Sequence, residues 1–300
     1  MMEKVIVHEV GLRDGLQNQS KHVHTDSKLE ILSALIASGI KSIEVTSFVS
    51  PKAVPQMSDA KELYQSLPKK PGLHFEALVP NLKGYERATE SGAKTIALVL
   101  ASTDTMNRKN INMSLDEALK VNLDVIRRAN NEGIRARCYI STALHCPFEN
   151  YVNPIEVLKI ADKLDTAGAD ELVIADTTGG GNPQQVDELF KALVISHEPK
   201  KLAGHFHDTR GMGLLLAWVA LQHGVRKFDS SIGGLGGCPF APGATGNLAT
   251  EDLVFMLNQS GYETGIDIVK VRNAVKVAQG YVDQKLGGNI VGWLDTQKSL

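Results

Sequence analysis

The sequence predicts one closed (β/α)8 TIM barrel of the α/β class with a C-terminal helical extension, and three observations carry that prediction. Eight short apolar, β-branched runs recur every few tens of residues along the 300-residue chain. A stretch with helical periodicity follows each run. Polar residues gather where the runs end, which in such a barrel is the face that carries chemistry.

The runs lie at residues 5–9, 42–48, 74–80, 95–102, 136–143, 171–176, 202–207 and 227–232. Between them, segments such as 27–38 and 114–131 read as helices, closed by Gly39 and Gly133 in the left-handed cap position. Ser114 with Glu117 forms the signature of a capping box at the second of these. Strict alternation of buried strands with helices means parallel pairing and right-handed crossovers. Eight such units in a chain of this length fit a closed barrel better than an open doubly wound sheet. No Pro/Gly/Ser-rich linker or charge run interrupts the pattern, so residues 1–300 read as one catalytic domain, the barrel spanning about 4–257. Residues 258–300 read as added helices, ending from residue 287 in a loosely held tail.

Lys plus Arg number 32 against 34 for Asp plus Glu, so no global field would collect nucleic acid or an anionic membrane. Any anionic ligand must be held locally. Three cysteines, without paired CxxC spacing, fit neither a disulfide framework nor a structural zinc site. The first ten residues read as a strand rather than a signal or transit peptide, and no apolar run reaches the roughly 18 residues that span a bilayer. The expected location is the cytoplasm. An exposed apolar helix near Phe255 points to a homodimer.

His205 and His207 stand one residue apart on the seventh run, so both imidazoles face the barrel interior. Two such rings form a ready pair of metal ligands, although the same spacing also arises in structural histidines. Barrel closure would bring the first strand adjacent, where Asp14 adds a carboxylate oxygen, and Asn247 could add a carbonyl oxygen. Two nitrogen and two oxygen donors suit an octahedral Mg2+ or Mn2+ ion better than a thiolate-rich zinc site. Arg13 would be costly to turn inward without an anionic partner, and Glu44 on the next strand is the natural one. That pair either closes the barrel structurally or aims a guanidinium at a carbonyl that becomes an enolate. The segment GGLGGCPF leaves the eighth run with four glycines and Cys238, either a small residue tolerated in a turn or an acid–base thiol at the mouth. Asn107, Arg108 and Lys109, after the fourth run, are candidate coenzyme A contacts.

At this level of detail the chain resembles a known family. RDGLQNQ at 13–19, EVTSFVSPKAVPQM at 44–57, HFHDTRG at 205–211 and GGLGGCPFAPGATGNLATEDLV at 233–254 are similar to the 3-hydroxy-3-methylglutaryl-CoA lyases. The similarity covers nearly the whole chain. It also extends to a wider barrel metallolyase superfamily that includes Claisen-type synthases and ketoacid aldolases. The resemblance implies that Asp14, His205, His207 and Asn247 hold a divalent cation, that Arg13 stabilises the enolate and that Cys238 is the catalytic thiol. It further implies supporting roles for Glu44 and Asp176 and a proton-transfer role for His205. The implied substrate is an acyl-CoA thioester, cleaved to acetyl-CoA and acetoacetate. Arg210 and Met212 depart from the more polar, less basic pair of some members, which bears on substrate preference rather than on the reaction. A Claisen-type synthase on the same barrel is the rival reading, disfavoured because the chain stops soon after the barrel. A non-catalytic acyl-CoA or metal sensor is disfavoured because Arg13, Asp14 and Cys238 are all present.

Overall fold

The structure is a computed structural model that describes residues 2–237 and 246–297. Eight strands form a closed barrel: β1 (Ile6–Glu9), β2 (Ser42–Ser47), β3 (His74–Leu78), β4 (Thr95–Ala101), β5 (Arg135–Ser141), β6 (Glu171–Asp176), β7 (Leu202–Phe206) and β8 (Lys227–Ser230). They follow one another around the barrel in chain order, every pair is parallel, and β8 closes onto β1. Helices cross between strands because each strand is apolar on its outward side. Leu32, Leu35, Val125, Ile126, Leu189 and Phe190 come from those helices and are fully buried against the barrel. The helix Leu115–Asn131 starts at Ser114 with both arms of the capping box formed, and Gly133 follows it at φ +67°.

Two sequence expectations change. β1 is not adjacent to β7, since β8 lies between them, so Asp14 must reach its partners across the mouth rather than along a shared edge. The tail is not loose as far as residue 297: Asn289–Thr296 is a helix with Leu294 buried. Its first turn is held by carboxylates, Glu251 accepting from Gly288 N–H at 2.6 Å and Asp252 from Asn289 N–H at 2.8 Å and Ile290 N–H at 2.9 Å. These acids satisfy amide donors that a helix start leaves without intrahelical partners. The same helix lays Trp293 against Phe255, ring centroids 5.7 Å apart, so the apolar surface read near Phe255 is partly covered. No helix among the described residues is long and apolar enough to cross a membrane.

Inward-facing positions of the strands mix apolar residues, Leu78, Ala97, Val173 and Ala203, with charged ones. Alternation places Glu76 on β3, Arg137 and Tyr139 on β5, Glu171 on β6, and Lys227 and Asp229 on β8 inside the barrel, each near complete burial or deeply covered. They pair with one another across the axis: Arg137 contacts Glu171 and Asp229, and Lys227 contacts Glu171 at 3.0 Å. A buried charge survives only with such partners.

Candidate active site

The mouth of the barrel is built from loop geometry that its own carboxylates enforce. After β1, the carbonyl of Val10 receives the amides of Arg13, Asp14 and Gly15 at 3.1, 2.8 and 3.2 Å, a wide helical turn that projects Arg13 and Asp14 over the barrel. Glu9, at the end of β1, accepts from Gly11 N–H at 2.8 Å, Ile232 N–H at 2.9 Å and the Thr250 hydroxyl at 2.6 Å. That single side chain ties the Arg13 turn to the glycine loop after β8. Asp176, at the end of β6, accepts from Gly180 and Gly181 N–H at 3.0 and 2.9 Å and so shapes its own loop. Burial pushes the Asp176 carboxyl up to about 6, against the pull of those two amides and Arg210. Arg210 donates to the Gly179 carbonyl at 2.6 Å, which gives it a role in the same loop.

Arg13 lies between two acids. Its Nε and Nη2 both reach Glu44 Oε2 at 2.7 Å, and Nη1 reaches Asp14 Oδ1 at 2.7 Å. Burial raises the Glu44 carboxyl while Arg13 opposes it, and the same contacts raise Arg13. A guanidinium does not give up its proton, and two contacts of 2.7 Å fit an ion pair, so Glu44 stands as a carboxylate. Burial alone would raise Asp14, but Arg13, the two histidines and the Asn247 amide together hold it down at about 2. Gln17 adds a donor to Asp14 at 3.1 Å.

Among the described residues, one group of His, Cys, Asp or Glu side chains could hold a metal: Asp14, His205 and His207, with donor atoms all within 4.8 Å of one another. His207 Nδ1 is buried without a hydrogen-bond partner, and its Nε2 lies 4.0 Å from Asp14 Oδ2. His205 turns Nδ1 to Asp229 Oδ2 at 3.1 Å, which leaves Nε2 for the site. His207 Nε2 beside Asp14, a second directed imidazole and an ionised carboxylate, with no thiolate, fit a hard or borderline divalent cation. Asn247 joins this group in an orientation the sequence did not suggest. Its Nδ2 donates to Asp14 Oδ2 at 2.7 Å, so a half-turn of the amide would be needed to aim its oxygen at an ion. Gly236, at φ +136°, lies behind that amide, and a Cβ there would stand 2.9 Å from Asn247 Nδ2. Cys238 lies outside the described residues.

The coenzyme A candidates are corrected in part. The Asn107 amide accepts from Ala101 N–H at 2.9 Å and donates to the carbonyls of Ala101 and Thr103 at 2.8 and 2.9 Å. It is a buried bracket at the end of β4, with both amide hydrogens committed to backbone carbonyls. Arg108 and Lys109 are exposed, Arg108 pairing with Asp104 at 2.6 Å. Replacing Asn107 with alanine should lower stability by roughly 1–3 kcal/mol, the cost of orphaning buried backbone groups. Urea unfolding measures that, and an unchanged KM for an acyl-CoA substrate would separate it from ligand contact.

Sequence reasoning missed Asp229, Tyr139, Arg137 and Gln17. The signal was present in three of them, as charged or hydroxyl side chains at alternate positions inside otherwise apolar strand runs. A cavity of about 570 Å3 opens at the other end of the barrel, lined by residues such as Lys4, Lys41, Glu76, Arg137 and Lys227, and it includes none of the mouth residues.

His207 also gives the site a pH signature. Burial, with His205 next, lowers its imidazole from 6.5 to about 4. Between those values the unfolded chain binds a proton that the folded chain does not, so folding stability falls as pH drops from about 6.5 towards 4. The full effect is roughly 3 kcal/mol. Urea midpoints at pH 6.5, 5.5 and 4.5 should decline in the native chain more steeply than in His207→Gln.

The profile of the HMGL-like family matches residues 4–277. The chain belongs to the HMGL-like family. Hydroxymethylglutaryl-CoA lyase from Pseudomonas mevalonii is 43% identical over 270 residues, 90% of this chain and 90% of that one. The crystal structure of the Bacillus subtilis HMG-CoA lyase superposes with a TM-score of 0.95 at 38% identity, covering 98% of this chain and 99% of that one. An HMG-CoA lyase from Acinetobacter baumannii, in complex with coenzyme A and 3-methylmalate, superposes with a TM-score of 0.93 at 33% identity, covering 99% and 97%. Membership in the HMGL-like family makes this chain a lyase on a (β/α)8 barrel.

Proposed function

We propose that this lyase cleaves 3-hydroxy-3-methylglutaryl-CoA to acetyl-CoA and acetoacetate, with Mg2+ or Mn2+ held by Asp14, His205 and His207. The observation that carries the reading is the convergence of those three side chains beside the Arg13 guanidinium. When bound, the cation would lower the pKa of the tertiary hydroxyl of the substrate. Arg13 offers five N–H donors and uses three on Glu44 and Asp14, which leaves two for substrate oxygen. Aimed at the thioester carbonyl, they would stabilise the enolate that forms as the carbon–carbon bond breaks. Glu44 holds the guanidinium in plane from the side away from Asp14, and Asp176 fixes the loop beside it. Asn247 restrains Asp14 and, with its amide turned, adds an oxygen donor.

With His205 Nε2 given to the cation, the hydroxyl proton leaves to another acceptor at the mouth, and a proton must arrive at the enolate carbon to complete acetyl-CoA. Cys238 supplies that proton in this scheme. Arg108 and Lys109 remain as cationic contacts for coenzyme A, and the coenzyme A complex of the Acinetobacter baumannii relative supports placing the thioester at this family's site. The near-neutral charge and the unpaired, buried Cys138 and Cys146 support a cytoplasmic setting. Exposed Leu215 and Trp218 on the helix Gly213–Gln222 support a homodimer, which light scattering on the purified chain would test.

Acetoacetate release from the acyl-CoA, with Mg2+, with Mn2+ and with excess chelator, tests the reaction. Activity that survives chelation would remove the cation from the scheme. Cys238→Ala is expected to keep cation affinity and lose turnover by roughly 100- to 10,000-fold, the usual weight of a general acid.

A further inference from the structure

We propose that Asp229 is a positioning residue that fixes which nitrogen of His205 carries a proton and thereby sets how tightly the mouth of the barrel binds its cation. The proposal rests on the metal reading above. Asp229 and His205 are directly paired residues of β8 and β7, so their side chains leave the sheet side by side on the inner face. The Asp229 side chain is fully buried, and its two oxygens meet three neighbours. Oδ2 lies 2.7 Å from the Tyr139 hydroxyl and 3.1 Å from His205 Nδ1, and Oδ1 lies 2.5 Å from Arg137 Nη2.

An ionised carboxylate only accepts hydrogen bonds, so every one of those neighbours must donate. Tyr139 and Arg137 do so by their nature. His205 can do so only with its proton on Nδ1, and its lone pair then sits on Nε2, the nitrogen left for the ion. The ring is held in that pose as well, because Tyr139 packs edge-on against it with centroids 5.7 Å apart. Arg137 cannot drift away from Asp229, since its Nε is taken by Glu171 and its Nη1 lies 3.5 Å from Glu76. His207 has no equivalent: its Nδ1 has no hydrogen-bond partner. The two imidazoles are therefore unequal, one locked for ligation by the protein and the other oriented only by packing. Carboxylate partners behind ligating histidines typically change metal affinity 10- to 100-fold.

The test uses the full chain in two measurements. Nitrogen-15 NMR of histidine-labelled, metal-free protein should show His205 protonated at Nδ1 and bare at Nε2, its signals assigned by their loss in His205→Gln. Titration with Mn2+ by calorimetry should show Asp229→Asn binding 10- to 100-fold more weakly than the native chain, while Tyr139→Phe, which keeps the carboxylate, stays within a few-fold. An Nε2-protonated His205 in the native chain overturns the proposal, whether or not Asp229→Asn folds. A folded Asp229→Asn with native Mn2+ affinity and an unchanged His205 spectrum also overturns it. If the native chain binds no Mn2+, the metal reading itself falls, and the NMR result still decides whether Asp229 orients the ring.

Discussion

Asp14→Asn is expected to abolish productive cation binding and reduce turnover to the level of the chelated enzyme. Asparagine keeps the shape of the side chain and removes the one anionic donor in the group. In the native chain Asp14 stays ionised down to about pH 2 because Arg13 and the histidines surround it, so the full charge is available at any working pH. Loss of an outer partner of a ligand alone costs 10- to 100-fold in affinity, so loss of the ligand charge should cost on the order of 100-fold or more. Calorimetric titration with Mn2+ reads this directly. The variant also turns an acceptor of Arg13, Gln17 and Asn247 into an amide, and the fold should persist because Glu44 still holds Arg13. Native affinity in this variant would place the ion elsewhere.

Arg13→Met should be nearly as damaging to turnover, by a different route. It removes the two free donors beside the cation group, and loss of one such preorganised donor costs about 100- to 1,000-fold in kcat. Cation binding should persist, because all three donor residues remain, and weaken no more than about 10- to 100-fold through loss of the Arg13 contact to Asp14. Stability should also fall by roughly 3–5 kcal/mol, because the Glu44 carboxylate is left buried without its partner. Double replacement with Glu44→Gln should recover much of that stability and none of the turnover. This separates the structural pair from the catalytic guanidinium, two readings of Arg13 and Glu44 that the sequence leaves side by side. Steady-state kinetics and urea unfolding on the two variants decide between them.

Local pattern determined a good deal. Alternation of apolar runs with helical periodicity locates all eight barrel strands, because burial on both faces leaves β-branched residues little alternative. The one-residue spacing of His205 and His207 determines that they share a face, whatever the fold around them. The Ser114 and Gly133 caps are likewise local, since each satisfies groups within a few residues of itself. Placement at strand ends nominates Asp14 and Asn247 as companions, and the resemblance to the lyases names the chemistry.

Other features depended on contacts that no local pattern encodes. Asn107 reads as a ligand-facing amide next to two cations, yet its three hydrogen bonds to the end of β4 make it part of the frame. The last helix looks like tail until Glu251 and Asp252, some 37 residues earlier, are seen capping its first turn. Asn247 was expected to offer oxygen and instead offers nitrogen to Asp14. Asp229 gave no sign of function as one acid in a strand, because its meaning lies in Arg137, Tyr139 and His205 converging on it from two other strands. Residue pattern is enough to say which strands exist and which side chains turn inward, since backbone geometry and burial act over short range. Which inward groups meet follows from closure of the barrel, because that closure, and not spacing along the chain, sets the distances over which charges and hydrogen bonds act.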